Sequence, residues 1–159
     1  MKIWILHDSQ YGNGKKIAET MKETFSNEAD VEIGHVKEID PEQVFKEKPD
    51  MLIVGTAIRA FTTSLASKNW IRKFKRLVRT ANEKVLVGAV FVTHGLPKKW
   101  MKFQGNRFYR IFKRGNIFNK VYQEWLSGRV EEVEGPLVEG TIEKTKQTAK
   151  ELLELSKKS

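Results

Sequence analysis

Apolar residues fall into two alternating rhythms along this chain. Ile3, Trp4, Ile5 and Leu6 follow one another without a break, the pattern of a strand covered on both faces over residues 2–7, and they run into the polar cluster Ser9-Gln10-Tyr11-Gly12-Asn13-Gly14. From Lys15 to about Phe25 the rhythm changes: Ile17, Met21 and Phe25 recur every fourth residue, one stripe of a helix. Residues 31–36 alternate like an edge strand, Asp40-Pro41 opens a short helix with proline at its first position, and residues 51–54 form another buried strand. Trp70, Ile71, Phe74, Leu77 and Val78 make the apolar face of a third helix, and residues 85–92 the fourth strand. Residues 130–138 read as a weak, split fifth strand, with a bend at Gly135-Pro136. A last helix begins near Thr141 and turns Ile142, Ala149, Leu152 and Leu153 inward.

Five strands alternating with helices imply a parallel sheet covered on both faces, because right-handed crossovers place the helices there. The expected architecture is a doubly wound, three-layer α/β domain. With 159 residues the chain supports one core, so a single domain over residues 1–159 is expected. Residues 95–128 exceed an ordinary strand-to-helix connection and are rich in aromatic and basic side chains; they are expected to form an enlarged fourth crossover. The run at 85–92 is far short of the roughly 20 apolar residues that span a bilayer. Four apolar residues ahead of His7-Asp8 are too few for a signal peptide, which leads to the expectation of a soluble, cytoplasmic protein.

Composition narrows the chemistry. There is no cysteine, hence no disulfide, thiolate-held cluster or cysteine nucleophile, and a redox role requires a bound cofactor. His7, His35 and His94 stand far apart without metal-ligand spacing, so no metal is expected. The net charge of +9 is uneven: residues 51–123 hold 16 Lys and Arg against the single acid Glu83, while the remainder is net acidic. One side of the molecule should be strongly positive.

In a doubly wound sheet the ligand lies beyond the carboxyl ends of the strands, beside the first strand. The loop Ser9 to Gly14 offers hydroxyl, amide and backbone N–H donors directly ahead of a helix N-terminus, and Lys15 and Lys16 put positive charge on that first turn, where an anion would offset it. The alternative is an ordinary strand-to-helix turn with surface lysines. A P-loop is excluded, since Ser9 stands in place of its upstream glycine and no Ser or Thr follows the lysine. A dinucleotide fingerprint fails at Ile17, where a third glycine is needed.

The segment Asp8-Ser9-Gln10-Tyr11-Gly12-Asn13-Gly14-Lys15-Lys16-Ile17-Ala18 resembles the first loop and helix of flavodoxin-like proteins, commonly D-S-x-Y-G-N-T-x-x-I-A. Ile53-Val54-Gly55-Thr56-Ala57 is similar to that family's third strand, and residues 135–155 to its last strand and helix. The resemblance implies a five-stranded parallel sheet of order 2-1-3-4-5, FMN as cofactor and electron transport through the bound flavin. It implies phosphate contacts from Ser9, Gln10, Tyr11, Gly12, Asn13, Gly14 and Lys15, and a flavin ring between Thr56, Ala57, Ile58, Arg59 and Phe61 on one side and Thr93, His94 and Gly95 on the other. Gly14 replaces the family's Thr or Ser hydroxyl. Arg59 stands near the position of a usual aromatic, and Gly55-Thr56-Ala57-Ile58-Arg59 is similar to the loop of menaquinone-dependent protoporphyrinogen oxidases, which implies an FMN-dependent oxidoreductase. Arg59 and His94 are the candidates for tuning the flavin. The plainer expectations are a surface arginine and a solvent-facing loop histidine.

The stretch Lys98-Lys99-Trp100-Met101-Lys102-Phe103, continuing to Arg107-Phe108-Tyr109-Arg110-Ile111-Phe112-Lys113-Arg114, interleaves rings with cations and contains no acid. The first expectation is that Phe108, Ile111 and Phe112 are core beneath a solvated basic face; the second is an anionic membrane surface or an acidic partner. Nucleic acid ranks last, for no binding motif accompanies the charge. The partner implied by a flavin is a redox protein or a quinone-like small molecule. The rival to a flavoprotein is a binding module of the same fold that has lost flavin and uses its basic face.

Overall fold

The computed structural model describes residues 1–158. Its strands are β1 (Lys2–His7), β2 (Asp30–His35), β3 (Met51–Arg59), β4 (Thr62–Thr63), β5 (Val85–His94), β6 (Phe118–Val121) and β7 (Leu126–Arg129). The helices are α1 (Asn13–Phe25), α2 (Pro41–Lys46), α3 (Leu65–Thr80), α4 (Lys98–Lys113) and α5 (Thr141–Lys157). β1 pairs in parallel with β2 and β3, β3 with β5, and β5 with both β6 and β7. With β6 and β7 taken as two pieces of one fifth strand, and the short antiparallel β4 set aside, the order is the expected 2-1-3-4-5.

Strand periodicity divides the core. Ile3, Ile5, Met51 and Ile53 meet Ile17, Met21 and Phe25 of α1 and Ala149 and Leu152 of α5. Their neighbours Trp4, Leu6, Leu52 and Val54 point the other way, onto Val44 of α2, Trp70 and Phe74 of α3, and Phe108 and Phe112 of α4. The central strands are therefore continuously apolar through Ile3–Leu6 and Met51–Val54, as burial on both faces demands.

Two expectations change. The fifth strand is not at residues 130–138 but at 118–129, interrupted at 122–125 where four residues pass two of β5. Residues 130–138 instead form a loop closed by a bridge between Val130 and Leu137, with Val133 outside, 77% exposed. Alternation misled there because the chain turns back on itself, while the bulge scrambled the period of the true strand. Nor are residues 95–128 an enlarged crossover: they hold the ordinary fourth helix and the fifth strand. α4 lies so close to Trp125 that a Cβ at Gly105 would stand 2.3 Å from the indole, whose Nε1 donates to Asn106 Oδ1 at 2.9 Å. Tyr109 donates its hydroxyl to the Tyr122 carbonyl at 2.7 Å, and Lys75 serves the last carbonyls of α4 at Ile111 and Arg114.

Candidate functional site

The carboxyl ends of β1, β3 and β5 open into one cleft of about 600 Å³. Three loops build it, and a fourth segment closes its side.

The first loop ends at Gly12, whose φ of 92° reverses the chain into α1 at no Cβ cost. Its N–H donates to Ser9 Oγ at 2.8 Å, which leaves the Ser9 hydroxyl proton free for another acceptor. α2 and α3 are capped by the side chains of Asp40 and Ser64. α1, like α4, has no side-chain cap and no acid in its first turn, and of the two only α1 has its first turn in the cleft wall. Its open N–H groups face the cleft through Asn13 and Gly14, so the helix dipole and the backbone donors present an anion site there. Asn13 is held by a 3.3 Å bond from Nδ2 to the Glu134 carbonyl. A Cβ at Gly14 would meet only ordinary contacts, 3.5 Å from Ser9 Cβ and 3.7 Å from Phe91, so a hydroxyl-bearing residue fits.

Behind this loop lie two buried ionisable groups. His7 accepts the Ser9 N–H on Nδ1 at 3.1 Å, and burial, with help from His35 and Lys15, lowers its pKa to about 4. The neutral ring therefore fixes the start of the first loop. Asp8 has only 3% of its side chain exposed; burial raises its pKa, partly countered by its neighbours, Arg59 among them. Arg59 donates to the Asp8 carbonyl at 2.9 Å and sits 3.5 Å from its carboxylate. It is thus a surface arginine at the hairpin, as the plainer expectation had it, that also clasps the first two loops together and adds a cation to the cleft wall.

The second loop is a hairpin. Arg59 pairs with Thr62 across Ala60 and Phe61, both at positive φ, 48° and 62°, as a two-residue type I′ turn requires. Ala57, Ile58, Arg59 and Ala60 line the cleft. Phe61 does not: it projects from the tip, 68% exposed. Thr56 is buried beneath the cleft and accepts the Ser64 N–H on Oγ1 at 3.1 Å, holding the entry to α3. Gly12 and Lys15 likewise shape or charge the first loop without lining the cleft, whereas Ser9, Gln10 and Tyr11 line it.

Thr93, His94 and Gly95 form the third wall. His94 is buried, against the expectation of a solvent-facing ring; Nδ1 meets the Leu96 carbonyl at 2.6 Å and Nε2 the Ser127 hydroxyl at 2.5 Å, and burial lowers its pKa. Both nitrogens are engaged, so His94 positions its loop and has no free proton to give. The fourth segment was missed from sequence. Val130 donates its N–H to the His94 carbonyl at 2.8 Å, which brings Glu131 and Glu132 to the cleft wall. Only the correct placement of the fifth strand would have revealed them. Among the described residues no cluster of ligating side chains could hold a metal.

No protein-family model matches the chain, and neither does any curated protein sequence. Solved structures do. The rubredoxin:oxygen oxidoreductase of Desulfovibrio gigas superposes with a TM-score of 0.78 at 16% identity over 98% of this chain, which spans only 36% of that protein. Flavodoxin 1 of Bacillus cereus gives 0.69 at 17% identity, covering 97% of this chain and 98% of its own. The chain has the flavodoxin fold. An archaeal flavodoxin, at 15% identity and a TM-score of 0.67, is covered from end to end. At such identities the likeness establishes the flavodoxin fold, and the chemistry rests on this chain's own residues. The same fold spans about a third of the larger oxidoreductase and the whole of the free-standing flavodoxins.

Proposed function

We propose that this protein binds FMN in the cleft and transfers electrons through it to or from a redox partner. The observation that carries the reading is the uncapped, acid-free N-terminus of α1, which opens into a cleft large enough for a flavin. Its position within the fold is that of the first loop the sequence resemblance marks. Ser9, Asn13 and the backbone N–H groups of the first turn would hold the phosphate, with Lys15 and Lys16 supplying charge. The hairpin from Ala57 to Ala60 and the Thr93–Gly95 loop would flank the ring, with Tyr11 as the aromatic side chain at the cleft. The flavin supplies the redox chemistry when bound; the chain supplies orientation and local charge.

The flavodoxin and oxidoreductase neighbours support electron transfer with a partner protein. The likeness to protoporphyrinogen oxidases rests on residues 55–59 alone and draws no support from these neighbours, nor does a quinone acceptor. One observation favours the rival reading of a flavin-free binding module: Gly14 removes a hydroxyl from the phosphate site.

Titration of flavin fluorescence separates the two. The wild-type protein should saturate with FMN at a micromolar dissociation constant or tighter, about −8 kcal/mol or better. Riboflavin, lacking the phosphate, should bind at least tenfold more weakly. Asn13→Asp loses the bond to the Glu134 carbonyl but places a negative charge where the helix dipole favours it, so the melting temperature should fall little while FMN affinity falls tenfold or more. Equal affinity for FMN and riboflavin, or no saturable binding, refutes the assignment.

A further inference from the structure

The edge of the cleft carries large apolar side chains that the core does not use. Met101, Phe108 and Phe112 are the buried face of α4; Trp100 and Phe103 stand on its outer face, 61% and 68% exposed. β4 packs against α4, so the hairpin tip with Phe61, and Leu65 just beyond it at 64% exposure, lie along the same edge. The turn that holds Phe61 outward uses two non-glycine residues at positive φ, a conformation that costs stability and that burial does not explain.

Around these side chains the charge is predominantly positive. Lys99 and Lys102 flank Trp100 and Phe103 on α4, and Lys68 of α3 lies near enough to Arg107 and Arg72 for their charges to lower its pKa, after burial. Glu83, the single acid between residues 51 and 123, is paired with Lys48 at 3.2 Å. Among the described residues, the acids in ion pairs at this edge are Glu124, 3.7 Å from Lys98, and the buried Asp8, 3.5 Å from Arg59 of the hairpin. Exposed rings interleaved with uncompensated cations suit a surface that is apolar a few ångströms down and anionic on top.

We infer that this edge, from the Phe61 hairpin to the Trp100–Phe103 face of α4, docks on an anionic lipid bilayer. An acidic protein would need apolar pockets, and a nucleic acid unstacked bases, spaced to match Phe61, Trp100 and Phe103; a bilayer takes the rings and the cations at once without any matched counterpart. Arg59, Ala60 and Gly95 line the cleft while Phe61 and Leu96 flank it outside, so docking sets the cleft mouth against the membrane. This last consequence rests on the flavin reading, whereas docking itself does not.

The protein carries its own probe. Of its four tryptophans, Trp4, Trp70 and Trp125 are each 3% exposed, leaving Trp100 as the one that solvent reaches. With vesicles of equal parts phosphatidylglycerol and phosphatidylcholine at low salt, tryptophan emission should shift to the blue and be quenched by brominated acyl chains. Phosphatidylcholine alone should bind at least tenfold more weakly. Phe61→Ser and Phe103→Ser should each weaken partition severalfold, and Lys99→Gln and Lys102→Gln each about fivefold, with FMN titration unchanged in the three α4 variants. Equal partition onto anionic and neutral vesicles overturns the inference. So does anionic binding without a blue shift or quenching, which would mean attraction to any polyanion, nucleic acid or acidic protein included. Because emission is read without flavin, failure here leaves the FMN assignment standing, and failure of FMN to bind leaves this one.

Discussion

Two side chains behind the first loop set its response to pH and to charge. The folded pKa of His7 is about 4 against an ordinary 6.5, so between those values the unfolded chain binds more protons and stability falls as pH falls. The loss is at most about 3 kcal/mol by pH 4, and His94, shifted in the same direction, adds to it. Asp8 works oppositely: its raised pKa means that protonation relieves a burial penalty as pH drops through it. Urea unfolding at pH 7 and pH 4.5 should show the histidine loss, with His7→Asn flattening it. Arg59 faces the cleft but shares its charge with Asp8. The residual effect of such a wall cation is about 1 kcal/mol at an effective dielectric near 20 once compensation and water are allowed for. Arg59→Gln should therefore lower the two-electron midpoint potential of bound flavin by only about 20 mV, and Asp8→Asn should raise it, as spectroelectrochemistry would register. No change in either variant would place both groups out of electrical contact with the ligand. Asp8 stands in the quoted motif, but its partnership with Arg59, 51 residues away, has no sequence signature.

At the level of elements, the strands and helices with clean periodicity were legible: β1, β2, α1, α3, β5 and α5 lie where the apolar pattern puts them. The failures share a cause. α4 and the fifth strand carry aromatics on two sides, some buried and some exposed, so neither shows a single apolar stripe. The bulge at 122–125 shifts the strand period as well. Reading residues 130–138 as a strand in turn hid Glu131 and Glu132 from the list of cleft residues. The hairpin after β3 was invisible because its turn lacks the glycine or asparagine that usually announces a type I′ pair. That absence yields a test. Ala60→Gly should relieve strain at a φ of 48° and stabilise the fold by up to about 1 kcal/mol, seen as a higher melting temperature. A lower one would mean that the Ala60 methyl contributes more as cleft wall than its backbone costs.

Across the whole molecule, the charge count already announced a positive side, and the fold gives that side a location along α3 and α4, whose N-terminal ends, with the hairpin, carry part of it to the edge of the cleft. The sheet order placed the site just as securely, since the carboxyl ends of β1, β3 and β5 converge wherever strands are ordered in this way. What sequence could not supply was the depth of the cleft and the open N-terminus of α1, which depend on side chains folding away from it. In the proposed complex FMN occupies this cleft with its phosphate on the first turn of α1. Amide NMR of the labelled protein during FMN addition measures that directly. Saturable, one-to-one shifts are expected, largest at the N–H groups of Gly12, Asn13, Gly14 and Lys15, with a second group at Thr93–Gly95 and Glu131–Glu132; shifts that are absent, or that cluster on any other face, would rule out FMN in this cleft.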